Sequence, residues 1–346
     1  MNLHLVIPAL NWPDISQHQI YQDLPLPSLE KLLSKSSVAC NPPQEIEAWL
    51  CETFNVTKQQ NWPIAPIMLH NDSSDAVKTN QDYWIHADPV HLRIEQNHIM
   101  LADSQAFQIT NEEAKSLTKD INQSLSKYDL SLLPLHPKRW YIRTANTPEL
   151  RTHSLSQVTC NNINNFLPSG KDSIYWHKIF NEIQMLLHEH PINQAREAHG
   201  ELTINSIWFW GGGHNPQPIK SPYTKTWSNH VLTRALSLAS NTVHSELPLN
   251  AKQWEQFNLP GTHLIMLDTL LARSQYKDAY NWRNNLAKLE EDWFKPLYAK
   301  LKQGKIKTLT ITALNETKTY NFSITPTDLW KIWLPAKLLS SYADIV

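Results

Sequence analysis

Glycine and cysteine are scarce in this sequence of 346 residues, and each scarcity excludes a class of site. The chain has 7 glycines, whereas the average usage of about 7% would give roughly 24. Repeated glycine-rich phosphate loops are therefore excluded. The three cysteines, Cys40, Cys51 and Cys160, are too few and too scattered for a disulfide framework or a cysteine-based zinc site. We expect them to be reduced thiols.

Long apolar runs and an excess of charge are also missing. No run of 18 apolar residues occurs, and the apolar start at residues 1–10 lacks a basic region and meets Pro8 and Pro13 too early for a signal peptide. The 31 basic and 32 acidic residues give a formal charge of −1, so the totals contain no broad basic surface for nucleic acid. We expect a soluble cytoplasmic protein without membrane contact.

Apolar and aromatic residues, in contrast, are abundant. They make up 41% of the chain and include 14 tryptophans, enough for one large domain or two ordinary ones and too many for a disordered chain. Trp176 falls on an apolar helical stripe, Trp208 and Trp210 fall inside an apolar run, and Trp330 and Trp333 are spaced like neighbours on a helical turn. We therefore expect most tryptophans in the core and not on stacking platforms.

The order of the predicted elements indicates an α/β protein with a mostly parallel sheet. Strands are predicted at residues 3–7, 263–267, 307–312 and 319–324, with helices between the early and late groups. The section that begins at Tyr83 has the short strands and helices of an inserted α+β domain. We expect an α/β core formed by residues 1–80 and 200–346, and an inserted domain over residues 81–199.

A group of three consecutive glycines follows the apolar run 204–210. The run predicts a parallel strand buried on both faces, and Gly211, Gly212 and Gly213 would then lie at its carboxyl end, where ligands bind in open α/β sheets. Bare backbone N–H groups there would suit an anion. The alternative is a tight turn that needs small residues. His214 and the following Pro216 exclude a dinucleotide fingerprint, because a helix should begin at this point.

Two polar clusters lie earlier in the chain. His190, Asn193 and Arg196 combine the groups that hold phosphate or carboxylate ligands, but local helix capping would explain them equally well. Asp88 and His91 are three residues apart and are suited to sharing a metal. The alternative is a turn that Asp88 caps.

The segment HPINQAR at residues 190–196, with Gly200, Asn205 and a strand that ends at Gly211 and Gly213, resembles a known enzyme family. It is similar to archaeal-type cofactor-independent phosphoglycerate mutases, which carry His-Pro-Val-Asn, Arg, Gly and Ala-Asn before a strand that ends Arg-Gly-x-Gly. Residues 80–215 also resemble the bacterial RpfE-type regulatory proteins. The blocks that carry this second resemblance are 83–92, 139–141 and 184–188.

The mutase resemblance implies an alkaline-phosphatase-like α/β core with a smaller inserted α+β domain. It also implies two divalent metals and a Ser or Thr nucleophile at the strand ends. The expected ligands are missing, because the first strand leads to Asn11 instead of an Asp, Asp268 has no His four residues later, and Asn315 and Glu316 stand in place of an Asp-His pair. Trp210 replaces the family's Arg. We therefore expect a degenerate catalytic site and no metal or other cofactor.

These observations predict a non-catalytic, mutase-like regulatory protein that binds a small anionic ligand or a protein partner. The candidate pocket consists of His190, Asn193, Arg196, Asn205, Trp210, Gly211, Gly212, Gly213, His214, Asp88 and His91.

Two alternative functions stay open at this point. One is an active metal-dependent mutase or phosphatase. It would recruit metal ligands from His70, Asp72, Asp88, His91, His214 and Asp268. The other is an interaction module for nucleic acid or its enzymes, built on the lysines of residues 300–307, which otherwise form a solvated helix end.

Overall fold

The computed structural model describes residues 1–14, 16–73, 82–95, 98–216, 218–257 and 259–343. Its strands are β1 (Asn2–Pro8), β2 (Ser37–Asn41), β3 (Tyr83–Glu95), β4 (His98–Ala102), β5 (Ser131–His136), β6 (Arg139–Thr144), β7 (Ser206–Gly213), β8 (Lys225–Trp227), β9 (Val243–Ser245), β10 (Thr262–Met266), β11 (Thr308–Leu314) and β12 (Thr319–Ile324). Its α-helices are α1 (Pro27–Lys35), α2 (Ile46–Thr53), α3 (Ile64–Asp72), α4 (Asn111–Leu125), α5 (Leu155–Val158), α6 (Ser173–His188), α7 (Pro191–Ala198), α8 (Val231–Ala239), α9 (Ala251–Glu255), α10 (Leu271–Gln275), α11 (Ala279–Leu289) and α12 (Lys295–Lys302).

The chain forms two compact units. Unit 1 contains residues 1–49 and 221–346, and unit 2 contains residues 50–220. These boundaries differ from those expected near residues 80 and 200. Residues 50–80 and 200–220 join unit 2 because α3 packs on β3 and β7, and β7 pairs with β3.

Unit 1 is built on a seven-stranded sheet in the order β2-β12-β11-β1-β10-β8-β9. Strands β11, β1, β10, β8 and β9 run parallel to one another, whereas β12 is antiparallel to both of its neighbours, β11 and β2. Strands that alternate with helices along the chain therefore form the mostly parallel sheet that an α/β fold requires, as expected. Its apolar core gathers residues from both ends of the chain, such as Leu5 on β1 and Ile311 on β11.

Unit 2 contains an antiparallel sheet in the order β4-β3-β6-β5, with β7 also paired to β3. The prediction of a parallel strand at residues 204–210 was wrong, because β7 runs antiparallel to β3. Every residue of β7 is buried, with α6 and α3 packed against it. A strand covered on both faces is continuously apolar whatever its direction, so the sequence pattern alone could not tell the two cases apart.

One local prediction also differs from the structure. The position of the turn predicted at Asp88 lies within the long strand β3. Earlier in the chain, α3 has Pro66 in its first turn, where proline is tolerated. Residues 71 and 72 end this helix, and residues 74–80 lie outside the described residues.

The last tryptophans of the chain are not in the core. Trp330 and Trp333 are 78% and 72% exposed, in contrast to the buried Trp176, Trp208 and Trp210. The prediction that these two residues pack in the core was therefore wrong.

Among the described helices, none combines the length and apolar character that crossing a bilayer requires.

Candidate functional site

His190 fixes the beginning of α7, where the sequence predicted an anion-binding cluster. Its Nδ1 accepts a hydrogen bond from the backbone N–H of Ile192 at 3.2 Å, and its Nε2 lies 3.1 Å from Asp120 Oδ2. The side chain is buried and caps the N-terminus of the helix, with Pro191 in the first helical position.

Asn193 connects α7 by hydrogen bonds to residues that precede and follow this helix. Its amide donates to the carbonyls of Leu187 and Ile204 at 2.8 Å each, and its Oδ1 accepts from the N–H of Ile204 at 2.8 Å. Asn193 is only 3% exposed. Three of its four hydrogen-bonding positions are therefore used within unit 2.

Arg196 directs its guanidinium inward. It donates to the Leu202 carbonyl at 2.7 Å, to Glu113 Oε1 at 2.7 Å and to the Gln108 carbonyl at 2.9 Å. Arg196 is 4% exposed. The pKa of Glu113 is lowered, because its hydrogen bonds with Thr110 and Arg196 outweigh the opposing effect of burial.

Asn205 and His91 connect the start of β7 with the middle of β3. Asn205 Oδ1 accepts from the N–H of Leu92 at 2.7 Å, and its amide donates to the Leu92 carbonyl at 2.8 Å. His91 Nδ1 lies 2.8 Å from the carbonyl oxygen of Thr203. Asn205 thus continues the β3–β7 pairing with its side chain.

Asp88 and Trp210 meet in the interior of unit 2. Asp88 Oδ2 accepts a 2.8 Å hydrogen bond from the Trp210 indole N–H, and its Oδ1 accepts from the backbone N–H of Trp140 at 2.9 Å. The ring of His86 stacks on Trp210 with centroids 4.6 Å apart and an interplanar angle of 16°. The indole of Trp210 thus takes part in fixing a buried carboxylate.

The three glycines pack tightly inside β7 and do not form an open loop. Gly211 has a φ of +63°, and a Cβ at this position would lie 3.0 Å from the Cβ of Ile64. A Cβ at Gly212 would lie 2.5 Å from the Tyr83 hydroxyl oxygen. After the strand, His214 Nε2 lies 2.8 Å from Thr147 Oγ1. Close packing therefore requires the small residues here.

The carboxyl ends of the parallel strands in unit 1 form a second polar group. Asn11 follows β1 and Asn315 follows β11, and these strands are neighbours. The backbone N–H of Asn11 donates to Asn315 Oδ1 at 2.9 Å, and the Asn315 amide donates to Asn11 Oδ1 at 3.1 Å. Both residues are buried. The Nδ2 of Asn11 is buried without a hydrogen-bond partner in the described part of the chain.

His230 and Asp268 follow β8 and β10, which are also neighbours in the sheet. Burial lowers the pKa of His230, and the charge of Asp268 opposes this effect only partly. The Nδ1 of His230 is buried and unpartnered among the described residues. Sequence reasoning missed His230, because β8 has only three residues and gives no recognisable periodicity.

The candidate metal ligands do not assemble into a metal centre. Among the residues that the structure describes, no group of three or more His, Cys, Asp or Glu side chains is arranged to hold a metal ion. Asp72 instead accepts hydrogen bonds from Arg139 Nε and the Tyr141 hydroxyl, both at 2.7 Å. Burial alone would raise the pKa of Asp72, but these bonds lower it.

Curated proteins with detectable sequence similarity to the chain are phosphoglycerate mutases, whereas no protein-family model matches it. The 2,3-bisphosphoglycerate-independent phosphoglycerate mutase of Methanosarcina mazei is 30% identical over 136 residues, which are 38% of this chain and 34% of that protein. The corresponding mutase of Methanosarcina barkeri is 29% identical over 133 residues, 37% of this chain and 33% of that protein. The similarity thus spans about a third of the length of these relatives.

Solved structures extend the likeness to nearly the whole chain. The PH0037 protein of Pyrococcus horikoshii superposes with a TM-score of 0.55 and 12% identity, over 94% of this chain and 87% of that one. A cofactor-independent phosphoglycerate mutase of Thermoplasma acidophilum gives a TM-score of 0.49 and 12% identity, over 99% and 95% of the two chains. The chain is distantly homologous to cofactor-independent phosphoglycerate mutases over about a third of their length, and it shares its α/β fold with the PH0037 protein.

The residues at the strand ends of unit 1 do not fit the two divalent metals that this fold family implies. Such metals are held by carboxylates and imidazoles. The ends of β1 and β11 instead carry Asn11 and Asn315, whose neutral amides bind each other. Asp268 after β10 and His230 after β8 are a carboxylate and an imidazole, but among the described residues they are not part of a group of three or more His, Cys, Asp or Glu side chains that could hold a metal.

Proposed function

We propose that this chain is a phosphoglycerate-mutase-like pseudoenzyme, a cytoplasmic regulatory protein that binds a small anionic ligand or a protein partner. The observation that carries the proposal is the reciprocal pairing of Asn11 and Asn315. Two-metal phosphoryl transfer needs negatively charged ligands at these strand ends to hold the cations that stabilise the transferred group. Two neutral amides provide no negative charge, and each side-chain oxygen already accepts one hydrogen bond within the pair.

The strand ends of unit 1 also support a role in binding. The Nδ2 of Asn11 and the Nδ1 of His230 are buried polar atoms without hydrogen-bond partners among the described residues. Such atoms are uncommon in folded proteins, since each costs about 1–3 kcal/mol when it stays unsatisfied. A bound ligand with hydrogen-bonding groups would remove this cost.

The candidate residues of unit 2 contribute to the proposal in a different way. Asn193, Arg196 and Asp88 are buried and hydrogen-bonded within unit 2, so we infer that they hold the framework and do not contact the ligand directly. A regulatory role agrees with the resemblance of residues 80–215 to RpfE-type proteins.

The test combines metal analysis with an activity assay. Purified protein incubated with Mn²⁺ or Zn²⁺ and then desalted should retain no stoichiometric metal, and it should not interconvert 3-phosphoglycerate and 2-phosphoglycerate. Two metals per chain, or turnover that rises with added Mn²⁺, would overturn the proposal. The double variant Asn11→Asp with Asn315→Asp restores carboxylates at the strand ends and should bind Mn²⁺ more tightly than the wild type. The double variant Asn164→Asp with Asn165→Asp adds the same charge at exposed positions and is the matched control.

An active mutase or phosphatase is the second candidate, and one observation favours it. His230 and Asp268 follow neighbouring parallel strands, at the edge where ligands bind in such sheets. If the wild type turns over a phosphate ester and His230→Ala abolishes the turnover without changing the thermal midpoint, this candidate replaces the pseudoenzyme.

A further inference from the structure

The sheet of unit 1 ends in an edge strand that nothing in the described part of the chain covers. Strand β2 lies at one end of the strand order and pairs with β12 alone among the described residues. All five of its residues are exposed, and none is charged. Natural proteins usually protect such edges with lysines, bulges or very short strands. Strand β9 at the other end has only three residues, so β2 is the edge that offers the longer row of free backbone groups.

Unit 1 also exposes a cluster of large apolar side chains late in the chain. Trp330, Ile332 and Trp333 are 78%, 84% and 72% exposed, and Leu338 is 65% exposed. We call these four residues the C-terminal patch. A tryptophan side chain has up to about 250 Å² of surface, so the two indoles alone expose roughly 350 Å². They provide almost half of the about 800 Å² that each partner buries in a standard protein interface, and Ile332 and Leu338 add to this area.

The C-terminal patch lies beside the residues that lead into β2. The Lys35 ammonium donates to the carbonyl of Lys331 at 2.7 Å, and the backbone N–H of Lys337 donates to Ser34 Oγ at 2.7 Å. Ser34 and Lys35 end α1, and β2 begins two residues later. The patch is therefore next to the amino end of the edge strand.

We propose that this surface binds a second copy of the chain, with the two β2 strands paired antiparallel about a two-fold axis. In a pair centred on Ala39, Val38 of each copy faces Cys40 of the other. Because the strand is uncharged, no like charges meet across the pair. The same residues then serve both copies, as a two-fold interface requires. The dimer is independent of the function proposed above.

The antiparallel arrangement also supplies a cover for the C-terminal patch. After Asn41 the chain continues with Pro42 and Pro43, which are exposed. Pairing centred on Ala39 directs these prolines toward the amino end of β2 in the other copy, where the patch lies. A lipid bilayer would cover the indoles but has no hydrogen-bonding groups for the free backbone of β2. A second copy accounts for both exposed features.

Sedimentation equilibrium of the full chain over a range of concentrations tests the proposal. The wild type should form a dimer whose fraction rises with concentration. Val38→Lys places a lysine on each of the joined edges, and Ile332→Ser combined with Trp333→Ser removes two members of the patch. Each change should weaken the dimer at least about tenfold. Val243→Lys alters the exposed valine of the opposite edge strand β9 and is the matched control, which should dimerise like the wild type.

A cross-linking measurement locates the contact. Cys40 is exposed on β2, and in the paired strands its two copies lie diagonally opposite, about 7–8 Å apart. A short bismaleimide linker should therefore join the two chains of the wild-type dimer and leave Cys40→Ser unlinked. Far-UV circular dichroism verifies that each variant is folded.

The proposal fails in either of two cases. One is a dimer that is equally tight in Val38→Lys and in the Ile332→Ser, Trp333→Ser variant, or that the linker does not join through Cys40, because another surface then forms the dimer. The other is a wild type that stays monomeric at every concentration. If that monomer sediments with phosphatidylserine vesicles and the Ile332→Ser, Trp333→Ser variant does not, the patch binds lipid instead of a second copy.

Discussion

The indole N–H of Trp210 donates a 2.8 Å hydrogen bond to Asp88 Oδ2 between the paired strands β7 and β3. The carboxylate is 2% exposed, and its other oxygen accepts the backbone N–H of Trp140. Buried carboxylates are tolerated when hydrogen bonds compensate for lost water. Trp210 is therefore integrated into the packing of unit 2.

Removing either member of this pair should destabilise the protein. Asp88→Asn makes one of the two N–H donors face an NH2 group instead of an acceptor, and Trp210→Phe leaves Asp88 Oδ2 unsatisfied, so we expect each to cost about 1–3 kcal/mol. Chemical denaturation of the two variants and of the double variant measures the coupling, which should be at least about 0.5 kcal/mol. Trp330→Phe, at an exposed position, should change stability by less than about 0.5 kcal/mol. Additive effects of the two replacements would contradict the hydrogen bond.

Asn193 should behave as a structural residue, although the sequence marks it as a ligand-binding candidate. Asn193→Ala removes three hydrogen bonds and leaves buried backbone groups of Leu187 and Ile204 unpaired, so we expect a loss of at least about 2 kcal/mol. The thermal midpoint and the denaturation curve measure this loss. Gln194→Ala, on the exposed side of α7, is the control and should have little effect. If Asn193→Ala is as stable as the wild type, Asn193 is again a candidate for binding the ligand.

Replacing Gly211 or Gly200 by Ala distinguishes the cost of backbone strain from the cost of steric crowding. Both have positive φ, +63° and +72°, but only Gly211 has a neighbour, Ile64, where a Cβ would lie. Gly200→Ala should cost about 1–2 kcal/mol from the backbone conformation alone, and Gly211→Ala should cost clearly more. Equilibrium unfolding of both variants checks this order. If Gly211→Ala is as stable as Gly200→Ala, close packing does not explain the glycine at this position.

His4 should make the stability of the protein sensitive to mild acid. Its Nδ1 lies 2.8 Å from the Tyr223 hydroxyl and its Nε2 lies 2.7 Å from Thr312 Oγ1, and burial lowers its pKa from 6.5 to about 4. Because the folded state holds the proton more weakly than the unfolded state, acid favours unfolding. The stabilisation is complete above pH 6.5 and is lost as the pH falls toward 4, by about 2 kcal/mol at pH 5.

The measurement for His4 is the free energy of unfolding at pH 7 and at pH 5. In His4→Gln the difference between the two pH values should shrink by about 2 kcal/mol relative to the wild type. His70→Gln removes an exposed imidazole and is the control. An unchanged difference in His4→Gln would mean that another group causes the acid sensitivity.

The sequence predicts those parts of the fold in which the hydrophobic periodicity agrees with the positions of the residues that begin or end helices and strands. The apolar runs of β1, β10 and β11 appear within one or two residues of their predicted positions, and Trp176, predicted on an apolar helical stripe, lies on α6. Short edge elements such as β8 and β9, with three residues each, provide too few residues for a period. The direction of β7 depends on its partner β3, more than 100 positions earlier, and local sequence does not encode it.

The candidate site could be predicted only as a set of unusual residues and not as an arrangement. His190, Asn193 and Arg196 lie on or next to α7, and the sequence leaves helix capping and ligand binding equally open for them. In the structure their partners are backbone groups and side chains of unit 2, for example Glu113. The pairing of Asn11 with Asn315 joins residues 304 positions apart, and only the parallel alignment of β1 and β11 brings it about.

The two units also differ in when they can form during synthesis. Unit 2 is one continuous segment that is complete once residue 220 has been made. Strand β1 pairs with β10 and β11, which begin at Thr262 and Thr308. On the ribosome, its apolar residues therefore remain without their partner strands while about 250 further residues are added, and at 5–20 residues per second this takes roughly 10–50 s. Strand β1 thus waits longer for its partner strands than β3 of unit 2 waits for β7.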